Sequence, residues 1–342
     1  AMKVLVTGAA GFVGFHLCRR LLAQGAEVFG FDSLSPYYDP RLKHARRALL
    51  KASARYVERI GRLEDQGALV GFAQEAAPDV IVHLAAQAGV RHSLEQPRAY
   101  LDSNLVGTFE AMEAARRARP RHFLMASTSS AYGANLKSPF CETDKADHPL
   151  TFYAATKKAG EEMTHCYAHL HGLPTTMLRF FTVYGPWGRP DMAYFKFAEA
   201  AMAGEPIEVY GEGRMARDFT YVDDVIEAIA RLIDRPPVVG APVGPMDSLS
   251  PVAPWRVVNI AGGAPVGLIE FIDALEAALR LRIERRYLPM QPGDVVSTHA
   301  DPALLDALIG YRPTTPVATG VARFADWFRD WRARRDTLAP TA

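Results

Sequence analysis

Along the first half of the chain, short apolar runs alternate with longer amphipathic stretches. The runs cover residues 3–7, 27–31, 55–60, 79–84, 121–126 and 173–179 and are rich in Val, Ile, Leu and Phe. Strands covered on both faces read that way. Between them, residues 12–24, 40–50, 64–77, 98–118 and 152–170 are long enough to be helices that cross back over a sheet. The pattern predicts an α/β fold with a doubly wound parallel sheet. After about residue 180 the texture changes to Gly-Pro and Arg-Pro loops, helical stretches near 191–203, 222–235, 267–280 and 317–334, and few strands. The expected organisation is a nucleotide-binding domain over 1–180 and a smaller substrate-binding domain over 181–342. Segments around 215–235 and 255–262 are expected to return to the first domain. Residues 236–254 lack periodicity and read as a mobile surface loop.

Composition narrows the classes. With 342 residues, 49% of them hydrophobic, the chain can bury one large core or two modest ones. A net charge of +1, from 39 basic and 38 acidic residues, gives no overall field that favours nucleic acid or an anionic membrane. No apolar run is long enough to span a bilayer, and Met2-Lys3 leads straight into a strand, which leaves no room for a signal peptide. The three cysteines, Cys18, Cys141 and Cys166, are odd in number and far apart, which points to a reducing cytoplasm.

The first strand runs into Gly8-Ala9-Ala10-Gly11-Phe12-Val13-Gly14, which opens the first helix. Gly8 permits a tight turn, Gly11 lets a diphosphate approach the backbone, and Gly14 allows close packing of helix on strand. The second strand ends in Asp32, where a carboxylate can accept from ribose hydroxyls and repel a 2′-phosphate. The fold is therefore expected to be Rossmann-like, with NAD favoured over NADP. Small residues after the fourth strand, Leu84-Ala85-Ala86, let a flat dinucleotide pass close to the backbone. Tyr153 and Lys157 lie four apart on one predicted helix, so the ammonium is expected to lower the phenol pKa and make Tyr153 a proton-transfer group. Of the four hydroxyls Ser127-Thr128-Ser129-Ser130 at the end of the fifth strand, Thr128 and Ser130 are the candidates to bind a substrate hydroxyl and relay its proton.

These motifs, with Asp218-Phe219-Thr220-Tyr221-Val222-Asp223-Asp224, resemble the extended short-chain dehydrogenase/reductase superfamily over nearly the whole chain. The resemblance implies that Tyr153 is the acid/base, that Lys157 binds the nicotinamide ribose and tunes it, and that Thr128 completes the triad, with Ser130 a second hydroxyl. The chain departs from the superfamily after the third strand, where Gly61 is followed by Arg62 and not by the usual adenine-holding Asp. Ser129 and Ser130 stand where 4,6-dehydratases carry an Asp-Glu pair and where decarboxylases carry a Glu. What remains is epimerisation.

Within the superfamily, Pro149 to Lys158 and Arg179 to Met192, the latter including Trp187-Gly188-Arg189-Pro190-Asp191, resemble UDP-glucuronate 4-epimerases. That resemblance implies C4 epimerisation of UDP-glucuronate to UDP-galacturonate through a transient 4-keto sugar with tightly bound NAD. The alternatives are a UDP-glucose/UDP-galactose 4-epimerase and a UDP-glucuronate decarboxylase. A sugar carboxylate needs hydroxyl, backbone N–H or guanidinium donors, and Thr182, Ser130 and Arg189 are the candidates, with Arg91 behind them. Arg217 and Asp294 resemble the diphosphate-binding Arg and ribose-binding acid of the superfamily. Phe195, Lys196, Phe197, Val209 and Tyr210 are expected to line a uracil slot. Helices 98–118 and 152–170 are expected to pair with their copies in a homodimer. His165, His169 and His171 lack a carboxylate to complete a metal site, and Arg116, Arg117, Arg119 and Arg121 read as a solvated helix end.

Overall fold

The computed structural model describes residues 1–338. Seven parallel strands form its frame: β1 (Lys3–Thr7), β2 (Glu27–Asp32), β3 (Tyr56–Ile60), β4 (Val80–His83), β5 (His122–Thr128), β6 (Thr175–Phe180) and β7 (Trp255–Ile260). Their spatial order is β7-β6-β5-β4-β1-β2-β3. Strand order therefore reverses at β1, which pairs with β2 on one side and β4 on the other. In such sheets the crevice outside the carboxyl ends, at the reversal, is where a ligand sits. Register places Thr7 beside both Phe31 and His83, so three strand ends meet there.

Side chains on β1 alternate between two cores, as a period of two requires. Val4 and Val6 face one cluster with Val80, Val82 and Leu178. Leu5 faces the other with Ile81, Phe123 and Met177. The helices α1 (Phe12–Ala23), α2 (Pro40–Lys51), α3 (Ala68–Ala76), α4 (Gly107–Ala118) and α5 (Phe152–His171) cover these faces. Further along lie α6 (Ala193–Met202), α7 (Val222–Ile233), α8 (Leu268–Leu279), α9 (Ala303–Ile309) and α10 (Val317–Arg335). The helix α7 packs on α1, and β7 extends the main sheet beside β6. Aromatic rings of α10, Phe324 and Phe328, close over Tyr194 and Phe195 of α6.

Three local features differ from the sequence reading. The expected helix 98–118 is broken by a wide, π-helical turn over Leu101–Val106. There Asn104 leaves the helix pattern: its amide accepts from Gln87 N and donates to Gln87 O and Thr156 Oγ1. Residues 236–254 form a loop without regular structure, and its second half is held by contacts to the rest of the fold. Asp247 is bound by Arg256 at 2.9 Å within the protein interior, and Ser248 hydrogen-bonds both the N–H and C=O of Val257. His165 and His169 of α5 hold the same loop through Ser250 Oγ and Val252 O. The helix α9 has no counterpart in the sequence reading; at seven residues it is too short to show a periodic pattern.

Candidate active site

At the reversal point, Thr7 ties β1 to β4: its hydroxyl accepts from Leu84 N and Ala85 N, at 3.0 and 3.1 Å, and meets His83 Nδ1 at 2.6 Å. Gly8 follows at φ +72°, and a Cβ there would stand 2.9 Å from Ala85 N. A Cβ on Gly14 would lie 1.9 Å from the Gly8 carbonyl oxygen, so only glycine lets α1 start this close to β1. The turn opens onto a cavity of about 660 Å³ whose walls include Gly8, Gly11, Phe12, Val13, Gly14, Asp32, Leu84, Ala85 and Ala86. Asp32 is fixed in place, with Oδ2 accepting from Ala10 N at 2.9 Å and Oδ1 from Leu34 N at 2.8 Å. A carboxylate has about four lone-pair sites, so acceptor capacity remains for a ligand's hydroxyls. Gly61 and Arg62 also reach the wall, although the Arg62 side chain pairs with Glu64.

The other end of the same cavity holds Thr128, Ser130, Tyr153, Lys157, Thr182 and Arg189. Thr151 caps α5 by accepting from Ala154 N, which sets Tyr153 and Lys157 on its first two turns. Lys157 turns its Nζ to the Ala126 carbonyl, 3.1 Å away, and burial pushes this ammonium down to about 8, with Arg189 adding to the fall. Burial raises the Tyr153 phenol; Arg189 and the Thr128 hydroxyl pull it back, and Asp191 opposes them. Arg189 is thus a cation from outside the helix that favours the phenolate. Its own guanidinium is gripped by Asp191, at 3.0 Å from Nε and 2.6 Å from Nη2.

Behind the hydroxyl turn, Ser127 donates to Glu161 at 2.6 Å, and Glu161 is paired with Arg179 at 2.7 Å. Both charges are buried, and the pair braces β5, β6 and α5 beneath the site. Thr128 Oγ1 accepts from Ser130 N and so orders the turn that carries both hydroxyls.

A second cavity, of about 190 Å³, shares Val90, Ser129, Ser130 and Thr182 with the first and adds Arg217 and Asp294. Arg91 is not behind the sugar-carboxylate candidates. It pairs with Asp294 at 2.7 Å and stacks over Tyr210, 4.4 Å from the ring centre. Sequence-distant residues Arg91, Tyr210, Arg217 and Asp294 thus meet at this outer end. Phe195 and Val209 do not line it, because their side chains are packed in the core, and Lys196 is solvent-exposed.

Sequence reasoning passed over three residues between β2 and the middle of α2. Tyr37 reaches Asp191 at 3.4 Å, and Lys43 lines the large cavity. Arg46, fully buried, donates to the carbonyls of Ala10 and Trp187. The aromatic and proline-rich run Pro36-Tyr37-Tyr38-Asp39-Pro40 is the local signal that this loop does more than connect. Among the described residues no group of three His, Cys, Asp or Glu could hold a metal. No helix among them is long and apolar enough to cross a membrane.

Residues 4–242 match the model of the NAD dependent epimerase/dehydratase family. A probable UDP-glucuronate 4-epimerase of Rhizobium meliloti is 54% identical, the alignment covering 98% of this chain and all of the relative. UDP-glucuronate 4-epimerase 1 of Arabidopsis thaliana is 44% identical over 96% of this chain and 76% of its own length. Among solved structures, UDP-glucuronic acid 4-epimerase from Bacillus cereus, in complex with UDP-glucuronic acid and NAD, is similar with a TM-score of 0.86 and 30% identity, over 96% of this chain and 99% of that one. With the family model matched over most of its length, and with a glycine turn, Asp32 and a Tyr153/Lys157 helix around one crevice, the chain belongs to the NAD dependent epimerase/dehydratase family, within the extended short-chain dehydrogenase/reductase superfamily.

Proposed function

We propose that this protein interconverts UDP-glucuronate and UDP-galacturonate by inverting C4, with NAD held throughout the cycle. The observation that carries the reading is the meeting of Tyr153, Thr128 and Lys157 with Thr182, Ser130 and Arg189 in one cavity that also reaches the glycine turn and Asp32. The residues present fit a dinucleotide: the turn admits no Cβ at Gly8 or Gly14, and Asp32 at the end of β2 lines the same cavity with acceptor capacity for ribose hydroxyls. NAD, when bound, supplies hydride acceptance and return at a single carbon.

Gly8 to Gly14 would hold the diphosphate, Asp32 the adenosine ribose, and Lys157 the nicotinamide ribose. Tyr153 Oη takes the proton of the C4 hydroxyl, directly or through Thr128 Oγ1, and gives it back to the inverted alcohol. Burial raises the phenol, so it depends on Arg189, the Thr128 hydroxyl and the ligands themselves to reach its basic form. Thr182, Ser130 and Arg189 would receive the sugar carboxylate. A carboxylate two carbons from a ketone is prone to leave as carbon dioxide, and donors that keep its charge on its oxygens oppose that loss. Arg217, Asp294, Arg91 and Tyr210 would meet the UDP end.

Incubation with UDP-glucuronate and no added oxidant should yield UDP-galacturonate. Net accumulation of NADH, or conversion of UDP-glucose alone, would overturn the reading. Residues 1–180 would form the cofactor domain and 181–342 mainly the substrate domain, with β7 and α7 returning to the first. The protein would act in the cytoplasm as a homodimer, with the exposed Val106, Phe109, Phe152 and Leu170 of the 101–118 and 152–171 segments meeting their copies.

A further inference from the structure

Lys43 is a buried cation at the edge of the large cavity with no acidic partner. Only 7% of it is exposed, and it lines the cavity. Its Nζ donates to Ser35 O at 2.8 Å and sits 4.5 Å from the centre of the Tyr38 ring. Among the described residues no carboxylate lies within ion-pair distance of it. An ammonium has three donors, so two remain unused, and a buried charge left uncompensated is costly. An anion in the cavity would remove that cost.

The position of Lys43 selects the anion. Arg46 follows one turn later on α2 and therefore shares its face. It donates to the carbonyl of Ala10, in the middle of the glycine turn, at 2.9 Å. This face of α2 is thus directed at the segment whose amides open α1. Charges from both ends of the cavity act on the Lys43 ammonium, which burial lowers to about 8. Asp32 is the strongest of them, followed by Arg46, Arg189 and Asp191. Lys43 and the glycine turn line the same cavity, and the amides of such a turn are where a dinucleotide places its two phosphates.

We propose that Lys43 binds the diphosphate of the dinucleotide from the α2 side, as the cationic complement to the uncharged glycine turn. The assignment rests on the NAD reading given above. Its test is calorimetric titration of cofactor-stripped wild type, Lys43→Met and Lys43→Arg with NAD, NADP and adenosine. The expected result is NAD affinity weakened roughly tenfold or more by Lys43→Met. Adenosine affinity should stay within about twofold, and Lys43→Arg should recover part of the loss. Equal losses for NAD and adenosine would make the lysine a structural support and overturn the assignment. So would unchanged NAD affinity, or a loss confined to NADP, which would place a 2′-phosphate there. Wild type that binds adenosine but neither dinucleotide would overturn the cofactor reading itself, a result distinct from failure at Lys43 alone.

Discussion

Asp191 holds the Arg189 guanidinium through two hydrogen bonds, 3.0 Å at Nε and 2.6 Å at Nη2, and so fixes a cation that favours the Tyr153 phenolate. The carboxylate itself pushes that phenol up while the guanidinium pulls it down. Neutralising it separates the two effects. Asp191→Asn should move the rising limb of the pH–rate profile to lower pH, because the phenolate loses a repelling charge. It should also lower kcat/KM roughly tenfold as Arg189 loosens. A rising limb that stays in place would show that Tyr153 does not set it.

Thr182→Ala removes a hydroxyl proposed to receive the sugar carboxylate. Carbon dioxide release should then accompany epimerisation, measured with UDP-glucuronate labelled at C6. The loss in kcat/KM should be roughly five- to tenfold, the worth of one hydrogen bond to a charged group. Clean epimerisation by this variant would assign carboxylate control to other donors.

Cofactor-free protein should become less stable as pH falls from about 6.5 towards 4. Burial lowers His16 and His122 to about 4 and His83 to about 3, so each binds fewer protons folded than unfolded across that window. Each would lose on the order of 2 kcal/mol by pH 4.5. Glu142, which burial raises to about 7, acts in the opposite sense: between about 4.5 and 7 it binds more protons when folded, and stability falls as pH rises. Asp218 and Asp223, whose carboxyls burial also raises, act in the same sense as Glu142, and the three large histidine shifts outweigh them. Urea midpoints that hold level or rise across this acid range would contradict the assignment.

Asp247→Ala should cost about 3 kcal/mol, because it strands the buried guanidinium of Arg256. Limited proteolysis should then cut within 236–254 while the rest of the fold resists. Asp247→Asn, which keeps a hydrogen-bond acceptor, should lose less. Equal resistance in wild type and Asp247→Ala would mean that the histidine contacts from α5 suffice to hold the loop.

The strands β1, β4, β5 and β6 were legible because burial on both faces imposes a run of apolar residues, whereas the edge strand β3 is largely exposed. The glycine turn was legible for a related reason: a left-handed φ at Gly8 and a forbidden Cβ at Gly14 are demands on residue type, and residue type is what a sequence records. Tyr153 and Lys157 could be placed on one helix by spacing alone. The contact of Lys157 Nζ with the Ala126 carbonyl and the approach of Arg189 to the phenol could not, since both join segments distant in the chain.

The wide turn at 101–106 escaped because its cause, the capture of Asn104 by Gln87 and Thr156, joins residues far apart in the chain. Phe195 and Val209 looked like a slot for a base because aromatic and apolar side chains suit core and ligand equally. Only the closing of α10 over α6 decided for the core. What the sequence by itself determined was periodicity and backbone permission, both local in the chain. Which charges pair, which way a buried ammonium points and which faces are covered belonged to the tertiary structure, because those are settled by packing between segments that no local pattern connects.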